Sequence, residues 1–353
     1  MSQYWTDIVR GLDPYVPGEQ PQDQQYIKLN TNESPYPPSP MVAQAVQDYA
    51  IDSLRLYPDP ESVELRQTLA QNHGLKLDQV FVGNGSDEVL AHSFQAFFKQ
   101  SKPLLYPDIS YSFYPVYCGL YDIEFEKIPL DADFQINCAD YNRPNGGIIL
   151  PNPNAPTGIA LTLDAIRGLL ERSNSVVIID EAYVDFGAES ADSLIDEYDN
   201  LLVTQTFSKS RSLAGLRLGY ALGNKDLIEA LNRVKNSFNS YPIDRLTGAA
   251  AIASVKDKAY FEQCNQKIIT SREALSGALE ALGFRVYPSS SNFVFVEHGS
   301  KPAVEIYNEL KQAGILVRYF KSARIDNCLR ITIGNDAECQ QLLAALKTLL
   351  GEN

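Results

Sequence analysis

The sequence predicts an α/β protein, a mostly parallel sheet sandwiched by helices, followed by a smaller α+β C-terminal domain. Three observations carry that reading. Short apolar runs recur between turn residues, helical patterns separate them, and the texture changes after about residue 250. The runs are Val80-Phe81-Val82, residues 147–150, residues 176–179 and Leu201-Leu202-Val203. Each is apolar at consecutive positions, as in a strand buried on two faces. Helical patterns at 87–98 and 162–172 lie between them, which implies right-handed βαβ crossovers. Beyond residue 250 a long helix over 256–282 leads into strands at 284–287 and 292–297. A helix near 302–313, strands at 315–319 and 328–333, and a final helix from about Asp336 complete the chain. The first forty residues, rich in Pro, Gln and Asn, read as an extended arm that must pack on something else. The expected partition is an arm at 1–40, a large domain at 41–250 and a small domain at 251–353.

Composition narrows the function. Of 353 residues 30 are basic and 44 acidic, for a net charge of −14, which counts against a nucleic-acid surface. An anionic small molecule must then be held by a few locally placed arginines. With 44% apolar and 21% charged residues the chain is globular and can bury sizeable cores. Five scattered cysteines (Cys118, Cys138, Cys264, Cys328, Cys339) form no C-x-x-C pair, and three histidines sit in no H-E-x-x-H pattern. Neither a disulfide framework nor a metal site is expected. The N-terminus lacks the apolar core of a signal peptide, and no window approaches the ~18 apolar residues of a membrane span. A cytoplasmic protein is expected, with neither membrane nor nucleic acid as partner.

In an open parallel sheet, ligands bind outside the carboxyl ends of the strands. Four such ends carry unusual residues. Gly83-Asn84-Gly85-Ser86-Asp87-Glu88 follows the first run and opens a helix. It reads either as a phosphate cradle built from backbone N–H groups or as a plain turn capped by Ser86. It is no dinucleotide fingerprint, since Glu88 stands where a third glycine belongs. Asn152-Pro153-Asn154-Ala155-Pro156-Thr157-Gly158 is a turn-rich loop that two prolines stiffen, so that an Asn side chain can be held toward a ligand. Asp180 ends the third run, where a buried carboxylate is costly without a cation; it serves either a ligand or a turn as a cap. Thr206-Phe207-Ser208-Lys209-Ser210 offers a lysine among hydroxyls, and Arg217 lies eight residues further on. A lysine there is either a solvated charge or a nucleophile that burial or neighbouring cations have activated. An aldehyde-binding lysine, a ring acid, a phenolate partner and a phosphate cup together fit pyridoxal phosphate.

At these residues the sequence resembles the fold-type I pyridoxal-phosphate aminotransferases, and within them the histidinol-phosphate aminotransferases. The likeness extends through Pro14-Tyr15-Val16-Pro17-Gly18, Leu29-Asn30-Thr31-Asn32-Glu33-Ser34-Pro35-Tyr36-Pro37, Leu56-Tyr57-Pro58-Asp59, Leu316-Val317-Arg318 and Cys328-Leu329-Arg330-Ile331-Thr332-Ile333-Gly334. The resemblance implies that Lys209 forms the Schiff base and shuttles the proton, that Asp180 pairs with the ring nitrogen, and that Tyr183 meets the phenolate oxygen. It puts the phosphate on Gly85, the amides of Ser86 and Asp87, the Ser208 hydroxyl and Arg217. Tyr111 would stack on the ring, and Tyr57 would reach the phosphate of the other subunit, which implies a homodimer with shared sites. Arg318 and Arg330, with Tyr15 and Asn32 from the arm, would hold histidinol phosphate or 2-oxoglutarate. Aromatic amino-acid aminotransferases and threonine-phosphate decarboxylase share the frame and are the alternatives. One departure stands out: Ala155 occupies the position where the family usually places an Asn against the phenolate oxygen, and Asn154 is the neighbouring candidate to replace it.

Overall fold

The computed structural model describes residues 3–16, 18–19, 21 and 23–351; Pro17 of the arm motif lies outside them. Its strands in chain order are β1 (Ile27–Lys28), β2 (Val80–Gly83), β3 (Leu104–Pro107), β4 (Phe125–Ile128), β5 (Gly147–Pro151), β6 (Val177–Asp180), β7 (Leu201–Thr206), β8 (Gly219–Gly223), β9 (Phe284–Val286), β10 (Phe293–His298), β11 (Ile315–Leu316), β12 (Arg318–Tyr319) and β13 (Cys328–Thr332).

Alternation of side chains along the apolar runs sets the architecture. Val80, Val82, Ile148, Leu150, Val177, Ile179, Leu201 and Val203 enter one core, while Phe81, Ile149, Ile178 and Leu202 enter another. Successive residues of a strand point to opposite faces, so both faces of this sheet are covered. One layer holds the helices Val63–His73, Leu163–Arg172 and Arg245–Lys256. The other holds Gly85–Ser93, Tyr114–Tyr121 and Lys225–Phe238. The seven strands lie in the order β2-β8-β7-β6-β5-β3-β4, parallel except where β8 runs against both neighbours. That antiparallel strand is absent from the sequence-based expectation, as are β3 and β4. The expected helix over 87–98 begins earlier, at Gly85, and gives way after Ser93 to a π turn over Phe94–Phe98.

The C-terminal part is an antiparallel sheet, β12-β13-β10-β9. The helices Lys258–Ala281, Ala303–Gln312 and Asp336–Leu350 pack on it through Ile268, Leu279, Ile306, Leu310, Leu342 and Leu346. The strand expected at 315–319 splits at Val317, because β11 leaves this sheet to pair in parallel with β1 of the arm. Leu29 drops into the same core, which orders the arm against the small sheet. Among the described residues no helix is long and apolar enough to cross a membrane, and no cluster of His, Cys, Asp and Glu suits a metal ion.

Candidate active site

Strand direction gathers the site. β2, β5, β6 and β7 run the same way, so their carboxyl ends share one edge. β8 starts at that edge, with Gly219 paired to Gly83 on one side and Thr206 on the other. Arg217, two residues before Gly219, is returned to the ends of β2 and β7.

There it meets the helix Gly85–Ser93. Asn84 stands at the N-cap but makes no side-chain cap, and Ser86 lies within the helix, so the first-turn N–H groups are not spent on a polar cap. Arg217 donates to Ser208 Oγ at 3.4 Å and pairs with Asp87 at 3.0 Å. Two glycines make this approach possible. A Cβ on Gly85, whose φ is +80°, would stand 2.4 Å from Arg217 Nη2, and one on Gly219 would stand 2.3 Å from the Ser86 nitrogen. A guanidinium, a serine hydroxyl and open helix N–H groups form a cup suited to a phosphate. Asp87 also accepts from the Tyr111 hydroxyl at 3.0 Å, which ties that ring to the cup.

Asp180 closes β6 at 5% exposure. Tyr114 donates to it at 2.8 Å and Thr204 at 3.3 Å. Burial pushes its pKa up to about 6, those two hydroxyls oppose the shift, and the Asp87 carboxylate adds to it. No cation stands beside it among the described residues. A protonated ring nitrogen placed there would supply the missing partner.

Three consecutive arm residues thread past the remaining groups. The Asn30 carbonyl accepts from Arg330 at 3.0 Å, the Thr31 carbonyl accepts from Lys209 Nζ at 3.2 Å, and Asn32 donates to the Tyr183 hydroxyl at 2.9 Å. Lys209 Nζ lies 5.8 Å from the centre of the Tyr183 ring. Arg330 stacks over Phe293, and both Arg330 and Arg318 lie against Phe320. Burial, and then the charge of Arg318, lower the pKa of Arg330, while Tyr183 opposes them. Among the described residues neither arginine pairs with a carboxylate, and Arg330 Nε is buried without a partner. Glu19 lies near enough to Arg318 to feel its charge but forms its ion pair with Lys311. Two guanidiniums side by side, neither paired with a carboxylate, make an anion site rather than a surface salt bridge. Tyr15 packs on Phe113 at 4.9 Å, and Phe113 stacks on Tyr111, so the arm closes this end of the cluster.

Two predicted residues stand apart. Tyr57 is 78% exposed, stacked on Tyr241, its carbonyl held by Arg245. Asn154 is buried and gives its amide to the Ile109 carbonyl at 3.0 Å, so this donor serves the loop; Ala155 beside it is buried as well. Tyr114, Thr204 and Phe320 went unread in the sequence, and Thr31 and Thr332 appeared only as members of the arm and Arg330 motifs, without a role of their own. Thr204 has a signal in hindsight, as a hydroxyl inside an apolar strand; the Thr31 carbonyl, as backbone, has none.

The comparisons agree with this geometry. The family profile of the class I and II aminotransferases matches residues 24–346. The histidinol-phosphate aminotransferase 1 of Hydrogenovibrio crunogenus is 60% identical over 351 residues, 99% of each chain. That of Pseudomonas aeruginosa is 59% identical, covering 99% of this chain and all of the other. The chain belongs to the histidinol-phosphate aminotransferases. In three dimensions this aminotransferase is similar to that of Sinorhizobium meliloti, with a TM-score of 0.89 at 26% identity over 99% of this chain and 98% of the other. The Sinorhizobium structure was solved in complex with pyridoxal 5′-phosphate. The residues of this aminotransferase fit such a group. The cup with its uncapped helix suits the phosphate, the cation-free Asp180 suits the ring nitrogen, and Lys209 lies beside Tyr183 on the side of the two arginines.

Proposed function

We propose that this enzyme transfers the amino group of L-histidinol phosphate to 2-oxoglutarate, giving imidazole acetol phosphate and glutamate, with pyridoxal 5′-phosphate as cofactor, in L-histidine biosynthesis. The observation that carries the reading is the pair Arg318 and Arg330, cross-strand neighbours without an ion-pair partner among the described residues, on the lysine side of the cofactor cup. One substrate brings a phosphate and no carboxylate, the other two carboxylates. A planar guanidinium fork accepts either anion.

Bound pyridoxal phosphate supplies the electron sink that lets a proton leave the substrate Cα, and it carries nitrogen between the half-reactions. The chain does the rest. Gly85, Ser86, Asp87, Ser208 and Arg217 hold the phosphate and fix the ring's position. Asp180 keeps a proton on the ring nitrogen, and Tyr111 covers the ring face. Tyr183 donates to the ring oxygen, taking the place left open at Ala155, because the Asn154 donor is committed elsewhere. Lys209 moves the proton from Cα. Arg318 and Arg330 orient the substrate so that this proton faces Nζ, with Tyr15 closing the cluster.

The same reading divides the labour among the arm (1–40), the large cofactor-binding domain (41–250) and the small substrate-gripping domain (251–353). It also makes the enzyme a cytoplasmic homodimer, with Tyr57 of each subunit completing the phosphate cup of the other. Between residues 41 and 63 the apolar side chains Met41, Ile51, Leu54, Leu56, Tyr57 and Val63 are exposed, as an interface residue would be. The test is a competition between histidinol phosphate and phenylalanine at equal concentration. A preference in kcat/KM on the order of 10²-fold for histidinol phosphate is expected; equal rates, or faster turnover of phenylalanine, would overturn the substrate assignment.

A further inference from the structure

We propose that Asn32 is a positioning residue that aims the Tyr183 hydroxyl and thereby couples the seating of the arm to the cofactor's ring oxygen. The proposal rests on the cofactor reading above. Asn32 is 1% exposed and holds a left-handed backbone, φ 56°, which Asn tolerates better than most residues. Three hydrogen bonds lock it there. Its backbone N–H donates to Thr332 Oγ at 3.0 Å, the Thr332 hydroxyl donates back to its Oδ1 at 3.0 Å, and Asn292 donates to its carbonyl at 3.0 Å. Because Thr332 spends its one proton on Oδ1, the amide nitrogen is the end that faces Tyr183, and it donates to the hydroxyl at 2.9 Å.

That direction matters. A phenol has a single proton, and an oxygen already accepting from Asn32 keeps its proton for another acceptor. The ring itself is fixed edge-on against Phe293, at 5.1 Å and 89°, and the hydroxyl proton is not spent on Asn32, from which the oxygen accepts. Thr332 lies two residues beyond Arg330 on β13, and Asn32 follows the two arm residues whose carbonyls hold Arg330 and Lys209. A shift of the arm would therefore release Tyr183, the lysine and the substrate arginine together.

The test uses the visible band of the cofactor-loaded enzyme, titrated with pH in the absence of substrate. A donor on the charged ring oxygen lowers the midpoint of that titration. Asn32→Gly keeps the left-handed backbone and deletes the carboxamide, so the midpoint is expected to rise by roughly half a unit or more. In a Tyr183→Phe background the same substitution is expected to do nothing further. Thr332→Val, which unlocks the carboxamide without removing it, should move the midpoint in the same direction by less. An unmoved midpoint, or an equal rise with and without Tyr183, would overturn the proposal. So would loss of the band in both single variants, which would make Asn32 a structural part of the pocket. An unmodified enzyme with no visible band would instead overturn the cofactor reading, so the two failures are told apart.

Discussion

Two neighbouring acids on β6 and its following turn differ in what surrounds them. Asp180 has a place for a cation, whereas Glu181 is enclosed by the donors Ser190, Gln205 and the Ala191 N–H. Burial pushes Glu181 up to about 8, against those hydrogen bonds. In the cofactor-free protein both acids keep their protons in the fold at pH values where the unfolded chain has lost them. Stability therefore falls as pH rises from about 4 through 6 on account of Asp180, and on through 8 on account of Glu181. Glu181→Gln should flatten the upper part of that fall, seen as a smaller change in Tm between pH 6 and 8; an unchanged slope would show that Glu181 does not titrate there. Asp180 was conspicuous in the sequence as a charge closing an apolar run, while Glu181 beside it carried no reading of its own. Their partners were not conspicuous. Tyr114 arrives from the start of the helix Tyr114–Tyr121, 66 residues away in sequence. The arm carbonyls of Asn30 and Thr31, which hold Arg330 and Lys209, likewise leave no trace in side-chain chemistry.

Elements explain how separate motifs become one cup. The antiparallel β8 brings Arg217 to Ser208 and Asp87, and its first residue must be glycine because the Ser86 amide lies against it. Gly85→Ala places a methyl on Arg217 and forces a left-handed alanine, costing about 1–2 kcal/mol from the backbone alone. Cofactor affinity should fall by tenfold or more with little change in the helical signal, measured by equilibrium titration; unchanged affinity would mean that Arg217 does not hold the phosphate. The strands read from the sequence were those buried on both faces. β4 escaped because it is an edge strand, exposed at Phe125, Glu126 and Lys127. β8 escaped because glycines bound it, and glycine reads as a turn. The π turn after Ser93 had no signal, since Phe94, Phe97 and Phe98 continue an apolar helical face.

At the scale of the molecule, the arm is the least legible part and the most connected. Its composition showed only that it needs a partner. The pairing of β1 with β11, and the thread of Asn30, Thr31 and Asn32 through the site, depend on contacts about 150–300 residues apart in sequence. The exposed apolar residues between Met41 and Val63 call for a similar cover, and a stable interface hides roughly 1,200–2,000 Å². Sedimentation should give twice the chain mass of 39.2 kDa. Mixing inactive Lys209→Ala with weakened Tyr57→Ala subunits should restore activity that neither has alone, since one site of each mixed dimer is whole. A fully active monomer would contradict the shared site.

The most direct test of the central claim is an absorbance scan of the purified enzyme before and after adding histidinol phosphate, with phenylalanine in parallel. The structure predicts a visible band that collapses promptly toward the pyridoxamine-phosphate spectrum with histidinol phosphate, collapses slowly with phenylalanine, and is lost in Lys209→Ala. A band that ignores histidinol phosphate would contradict the substrate, and no band even after incubation with pyridoxal phosphate would contradict the enzyme.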